Sequence, residues 1–511
     1  MFYEELEKRH MNNLFEGTAF KKIMPIGAQT FLTWIKDIVD NGKNVWIDQD
    51  CDPDGYFSAL NIKTMFDAIR HPYYNIPVHI YKRHTLDLEY VKNVLRQNTI
   101  DYFIIVDSSS NSPEVLQYLV DKGLRVIVID HHATNTKRDQ FGPNCLLINP
   151  KIDTKEKGIT SPLQEMSAGA LTSLLVDLVV KKLYPEAYGD LNGAHWVYGY
   201  ITLYSDSCAF NMYNIAYARQ VINSNFVLPP IVEFFIDKYS SLNRSFVSFK
   251  MIPRINALMR GEHYNIAWSM FFDFEEFLEK YSLEDIERIY QESKAYVVDL
   301  TNRSKVTNLG SFVFLEMPSE VKARNYTGLV ASGIVKQYNL PCLSVIDMGQ
   351  GEYEGSVRDV YARNLLTLFK TVCDADGHAP AFGVHFPKED LQDILYSIRE
   401  LSSELETTQD VIFQDWNGYT GNERELLNDI ALMAEYNEYA GQGLPQAYGT
   451  IKITSKMKIR RYEKVTYIQW GKQKLVVFNK YILEGDTAIV QPALDITGAK
   501  LYINNVVYNQ Y

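Results

Sequence analysis

The sequence predicts an α/β protein: a parallel sheet covered by helices, a second and smaller α/β domain behind a long helix, and a β-rich tail. Three observations carry this. From about residue 27 to 210, short Val/Ile-rich runs alternate with helical patterns, as expected of strands buried on both faces. The alternation resumes at about 305, and beyond about 440 the pattern turns all-β. At 511 residues the chain exceeds one compact core. The expected division is 1–240, a helical connector over 241–300, a second α/β domain over 301–405, and a helical lead-in with a β domain over 406–511.

In order, "QTFLTWIKDIVDNG" reads as a helix ended by a glycine, "KNVWIDQD" as a short buried strand, and "YFSALNIKTMFDAIRH" as a helix. "VHIYKR" reads as a strand, "LEYVKNVLRQN" as a helix and "DYFIIVDSS" as a strand. "SPEVLQYLVDKG" is a helix opened by Ser112, with Pro113 at its first position, where a missing N–H costs nothing. "LRVIVIDHH" is the next strand, and "HWVYGYITLYSDSCAF" is helical. Ser282 and Asp285 stand at capping-box spacing before a long helix. The second α/β stretch runs through "LGSFVFLEM", "TGLVASGIVKQYN", "LPCLSVIDM", "YEGSVRD" and "ARNLLTLFKTVC" to "DADGHAPAFG". Two helical stretches then lead into the tail.

Composition is that of a globular protein, 46% hydrophobic and 22% charged. No stretch has the length of a transmembrane helix, and the N-terminus is mixed polar, unlike a signal peptide. Five scattered cysteines without a C-x-x-C pair point to a reducing cytosol, with neither a disulfide framework nor a structural zinc site. The net charge of −12 counts against nucleic-acid binding when taken alone. Residues 452–474, however, hold Lys452, Lys456, Lys458, Arg460, Arg461, Lys464, Lys472 and Lys474 against Glu463 only. An acidic protein with one basic face still attracts a polyanion there.

Ligands of parallel sheets sit beyond the strand carboxyl ends. Here those ends deliver Asp48, Asp50, Asp52, Asp54 and Gly55, then Asp107, then Asp130, His131 and His132. Asp206 follows in an apolar helix. An Asp-rich turn taken singly is more often a solvated loop or an Asx-turn. Three such sets at three strand ends would repel one another unless cations lay between them. Carboxylates with imidazole suit Mn²⁺ or Mg²⁺ better than thiolate-loving metals. Two such ions activate a water and hold the oxygens of an in-line phosphoryl displacement.

"DCDPDG", "VDSSS" and "VIDHH" resemble the D-x-D-x-D-G, lone-Asp and D-H-H motifs of the DHH phosphoesterase superfamily, with Asp206 matching its late aspartate. Within it the chain resembles the RecJ-like single-strand-specific exonucleases. "LLINPK", "TGLVASGIVKQYNLPCLSV", "GSVRD", "DGHAPAFG" and "YAGQGLPQA" resemble later elements of that family, in the right order from about residue 40 to 480. The resemblance implies a DHH domain, a DHHA1-type second domain and an OB-like C-terminal domain. It implies two Mn²⁺ or Mg²⁺ ions held by Asp50, Asp52, Asp54, Asp107, His131 and Asp206, with Asp107 bridging and His132 facing the scissile phosphate. Arg83, Ser356, Arg358 and His378 would bind substrate.

The G-Y-G element after Arg83 is absent, Asp376 stands for a glycine and Leu444 for an asparagine, and Asp48 is additional. Asp48 reads as a supporting carboxylate or as a ligand, the former favoured. Arg460 and Arg461, interleaved with Tyr462, Tyr467 and Trp470, suit single-strand binding or, equally, a half-buried sheet with a solvated face. The implied activity is a two-metal 5′-to-3′ exonuclease of single-stranded DNA releasing 5′-mononucleotides, with the choice between DNA and RNA left open by the sequence. The expected protein is a cytoplasmic monomer with replication or repair partners. The alternatives are a nanoRNase or cyclic-dinucleotide phosphodiesterase, and a non-catalytic Cdc45-like scaffold.

Overall fold

The computed structural model describes the chain outside residues 1, 10, 12–19, 21, 79–85, 159–160, 237–240, 360–364, 379–380, 404–410, 418–422, 441–443, 464, 471–472, 479–481, 496–497 and 508–511. Two compact units result, each assembled from separated segments. One is Ile26–Ile159 with Pro253–Gln409; the other is Met1–Pro25 with Thr160–Ile252 and Asp410–Tyr511.

The first unit contains a five-stranded parallel sheet of β1 (Val45–Gln49), β2 (Tyr74–Asn75), β3 (Tyr102–Val106), β4 (Arg125–Ile129) and β5 (Cys145–Ile148). Its order is β2-β1-β3-β4-β5. β1 and β3 are buried at every position, which explains their unbroken apolar runs. On one face, Trp46, Phe103, Ile105, Val126 and Val128 pack with Val91 and Val94 of the helix Leu88–Gln97 and with Leu116 and Leu119 of the helix Pro113–Asp121. The helix Pro53–Ala68 also packs on β1, and it is buried along almost its whole length. Its Tyr56 and Phe57 meet Phe271 and Phe272 at ring distances of 4.8–5.6 Å. The parallel sheet thus follows the sequence reading, with three differences. β2 lies before the expected strand "VHIYKR", residues 79–83 of that stretch lie outside the described residues, and β5 runs through a segment read only as a motif.

The same unit contains a six-stranded mixed sheet of β6 (Lys305–Asn308), β7 (Val313–Met317), β8 (Cys342–Gly349), β9 (Glu352–Arg358), β10 (Asp374–His378) and β11 (Ala381–Pro387). Its order is β10-β11-β9-β8-β7-β6, with only β7 and β8 parallel. Val330, Ala331 and Ile334 of the helix Thr327–Tyr338 cover one face, and Ile394 and Ile398 of the helix Leu391–Ser403 cover the other. The long helix is Leu283–Arg303. Ser282 and Asp285 form both bonds of its capping box, as their spacing predicts.

The second unit combines helices with a seven-stranded sheet of β12 (Val411–Asp415), β13 (Gln446–Lys452), β14 (Lys458–Arg461), β15 (Val465–Trp470), β16 (Gln473–Phe478), β17 (Thr487–Asp495) and β18 (Gly498–Val507). The order is β12-β13-β17-β18-β16-β15-β14. The helices Ala168–Leu183 and Ala194–Ser205 pack on each other and are buried almost all round. Between them lies the Asp177 carboxylate, in contact with Lys22, with Lys181 at 3.0 Å and with His195 Nε2 at 3.4 Å. No helix among the described residues is long and apolar enough to cross a membrane.

Candidate metal centre and phosphate-binding site

The strand–turn–helix from β1 into Pro53–Ala68 presents the first acidic set. Asp52 is the N-cap, its Oδ1 accepting from Gly55 N at 3.0 Å, and Pro53 begins the helix. Asp50 Oδ1 accepts from Cys51 N at 2.5 Å. The turn is so tight that a Cβ on Gly55 would lie 2.4 Å from the Asp50 carbonyl oxygen. At the end of β3, Asp107 takes a left-handed φ of +61°, which aspartate tolerates better than most residues. Its N–H donates to Ile129 O at 2.8 Å, locking the turn to β4.

β4 ends in Asp130, His131 and His132. Asp130 Oδ1 accepts from the backbone N–H of His131 at 2.7 Å and of His132 at 3.2 Å, and from His132 Nδ1 at 2.7 Å. Its Oδ2 accepts from Ser110 N at 3.1 Å. Burial alone would raise the Asp130 pKa. The adjoining His132 and His131 and the Ser110 hydrogen bond overcome it and hold the carboxyl well below its ordinary value. Asp130 therefore acts as the bracket that fixes both imidazoles. Asn149, in "LLINPK", completes the bracket: its Nδ2 donates to His132 O at 2.9 Å while its Oδ1 caps the helix Pro150–Lys157.

These turns meet. Asp50, Asp52 and Asp107 bring ligand atoms within 4.8 Å of one another, and so do Asp107, His131 and His132. Asp107 belongs to both groups. His131 Nε2 lies 3.3 Å from Asp107 Oδ1 and 3.8 Å from Asp54 Oδ2. Asp50, Asp54, Asp107 and His131 are all buried. Hard oxygen donors with one or two imidazoles, gathered out of water, fit divalent Mn²⁺ or Mg²⁺. Asp206 lies in the other unit, just past the helix Ala194–Ser205, and its Oδ2 accepts from the Cys208 thiol at 3.5 Å. Asp48 Oδ2 accepts from Tyr90 OH at 2.8 Å and from Trp46 Nε1 at 3.4 Å.

A second feature of the same unit surrounds the end of β9. Burial alternates along β9, so Ser356 and Arg358 share the face opposite Tyr353 and Val357. Ser356 Oγ lies 2.8 Å from Thr327 Oγ1 at the start of the helix Thr327–Tyr338. A Cβ on Gly328 would come within 2.3 Å of an Arg358 nitrogen, so any other residue there would displace the guanidinium. Burial pushes the Arg358 guanidinium down to about 10, and the like charge of Arg260 adds to this; it remains a cation at neutral pH. Arg260 is also lowered by burial, against the opposing pull of Asp52 and Tyr326. Its Nη1 donates to Asn325 O at 2.9 Å, and its buried Nε has no partner among the described residues. Two half-buried guanidiniums and two hydroxyls at the start of a helix are donors of the kind that suit a phosphate. Sequence reasoning missed Arg260, because nothing local marks it, and gave Thr327 and Gly328 no role of their own although they open the stretch "TGLVASGIVKQYN".

Arg83 lies outside the described residues, and His378 is in β10. Arg460 and Arg461 are exposed on β14, opposite Tyr467 and Thr466 of β15. Lys474 Nζ stands 3.7 Å over the Tyr467 ring, and Tyr462 packs edge-on to it at 5.8 Å. Arg461 Nη2 donates to Ile482 O at 2.9 Å, so Arg460 is the freer of the two.

Residues 44–185 match the model of the DHH family, N-terminal domain. No curated protein sequence matches the chain. In fold it is similar to RecJ of Thermus thermophilus in complex with Mn²⁺, at TM-score 0.71 and 16% identity over 99% of this chain and 75% of that one. The Mg²⁺ complex of RecJ from the same organism gives 0.63 and 13%, over 100% and 74%. An exonuclease RecJ bound to manganese gives 0.52 and 16%, over 75% and 96%. At such identities the likeness is one of fold.

Proposed function

We propose that the chain, whose residues 44–185 match the DHH family model and whose fold is similar to RecJ, is a 5′-to-3′ exonuclease of single-stranded DNA, releasing 5′-mononucleotides. The observation that carries the reading is the pair of ligand groups that share Asp107, one with Asp50 and Asp52 and one with His131 and His132, at the carboxyl ends of a parallel sheet, with Asp50, Asp107 and His131 buried. Those residues and Asp54 would hold two divalent ions, Mn²⁺ or Mg²⁺. Asp206 keeps the ligand assignment that its motif suggests. When bound, such ions activate a water and neutralise charge building on a phosphoryl group.

The chain's own residues supply the rest. Asp130 holds His132 by Nδ1, leaving Nε2 to meet the scissile phosphate. Arg358, Ser356, Thr327 and Arg260 grip a phosphate, with Arg358 able to pair with two oxygens at once. Arg83 and His378 keep their motif-based roles in binding substrate. Arg460, Tyr467 and Lys474 offer a strand cations and a stacking ring, as expected of an OB-like module. Polarity, DNA preference and product follow the resemblance to RecJ; the four-domain division follows the sequence pattern, the cytoplasmic location follows the scattered cysteines, and a monomer with replication or repair partners completes the proposal.

The test is hydrolysis of 5′- and 3′-blocked single-stranded DNA and RNA, and of dinucleotides, with Mn²⁺ after chelation. Mononucleotides released from free 5′ ends, lost on chelation and restored best by Mn²⁺, are expected. Hydrolysis of dinucleotides alone would move the assignment to a nanoRNase. Rescue by zinc alone would contradict the hard-ligand argument.

A further inference from the structure

We infer that Asp48, held by Tyr90, is a positioning residue whose carboxylate sets how tightly the neighbouring ligands bind a divalent ion. This deepens the metal reading above and rests on it.

Asp48 is fully buried one residue from the end of β1. Strand alternation puts it on the face of Trp46, where the core holds Phe103, Ile105, Leu86 and the partly buried Tyr90. A carboxylate in such a place needs hydrogen-bond donors. Its donors include the phenol of Tyr90 and the indole of Trp46, both on Oδ2, and these two fix its orientation.

The pairing register locates that carboxylate. Asp48 stands opposite Ile105, two residues before Asp50 on β1 and two before Asp107 on β3. Among the described residues, the groups that bring ligand atoms together include Asp50, Asp52 and Asp107 but not Asp48. Asp48 thus lies just inside the ligands, where a buried negative charge favours a cation at the rim.

Tyr90 has a second reason to be there. Leu86 N, four residues upstream, donates to Ser109 Oγ at 3.2 Å, and Ser109 belongs to the turn that carries Asp107. The segment 86–90 is therefore bonded to both ligand-bearing turns. Tyr90 closes it on the β1 side through Asp48.

The experiment titrates Mn²⁺ into the metal-free full chain, by calorimetry and by the Mn²⁺ electron paramagnetic resonance signal. The variants are Asp48→Asn, Tyr90→Phe and the pair together. Asparagine keeps the size and an acceptor for Tyr90 while removing the charge. Asp48→Asn should weaken Mn²⁺ binding by about 10- to 100-fold, the usual scale for groups that support metal ligands. Tyr90→Phe should weaken it less, and the double variant no more than Asp48→Asn alone, since Tyr90 acts through Asp48. Metal-free melting should stay close to wild type in both single variants. Unchanged Mn²⁺ affinity in Asp48→Asn, additive losses in the pair, or a metal-free melting loss that accounts for the weaker binding would each overturn the proposal. A wild-type chain that binds no Mn²⁺ would instead remove the metal reading itself, and this inference with it.

Discussion

Asp107 carries two burdens at one position. Its backbone sits at φ +61°, and its carboxylate belongs to both groups of clustered ligand atoms. Aspartate and asparagine tolerate this conformation, so Asp107→Asn keeps the turn and removes the charge. With the ions absent, the clustered carboxylates repel, and the variant should melt no lower than wild type in chelator. Hydrolysis should fall by at least about 10³-fold, because a metal contributes several kcal/mol to stabilising phosphoryl charge. Rate and melting assays on the same preparation check both halves. Retained activity would mean that the ligands are elsewhere. At this scale the motifs "DCDPDG" and "VIDHH" were legible because each is contiguous. Arg260 was not: it matters here only through Arg358, 98 positions away, and no local pattern encodes that.

At the scale of elements, the turns work because each is braced from behind. Asp52 caps a helix, Asp130 brackets two histidines, and Asn149 caps one helix while holding His132. Another brace is Asp177, which joins two packed helices to the Lys22 segment within its own unit. Burial alone would raise the Asp177 pKa, but hydrogen bonds from His195, Lys22 and Lys181 hold it well below the ordinary carboxylate range. A carboxyl depressed in the folded state adds stability that is complete above its unfolded value, about 4, and fades as pH falls below that. Asp177→Asn should therefore cost about 3 kcal/mol at pH 7, by leaving buried His195 and half-covered Lys22 without their carboxylate. The cost should shrink as both proteins are acidified from pH 5 to pH 3. Thermal melts across that range measure it, and parallel curves would refute it. The sequence showed where the strands and most helices lie. It did not show β5, whose short apolar run becomes a strand only by pairing with β4.

Across the whole molecule, a chain of net charge −12 repels polyanions unless its cations are concentrated. β14 to β16 concentrate them beside Tyr467. Replacing Arg460 and Arg461 together by alanine should weaken binding of long single strands and flatten its salt dependence. If both meet phosphates, the slope should fall by about 1.4, at about 0.7 per contact. Cleavage of very short substrates should be spared. Binding isotherms at several salt concentrations, set beside short-substrate rates, decide the matter. Equal losses on short and long strands would deny the sheet a binding role. Since Arg461 already donates to Ile482 O, most of the change should come from Arg460.

By itself, the sequence determined the periodicities and the local motifs: which runs are buried on both faces, which residues cap helices, and which carboxylates and imidazoles end the strands of the first sheet. Those properties depend on neighbours a few positions apart. Only the tertiary structure decided that Asp50 and Asp52 gather ligand atoms with Asp107, that Asp107 does the same with His131 and His132, that the charge of Arg260 is felt by Arg358, and that Tyr90 reaches Asp48. Those relations join residues tens of positions apart. The ligand cluster exists because a parallel sheet brings its strand ends to one rim, whatever the chain between them; the other two exist because helices are laid against strands far from them in the chain.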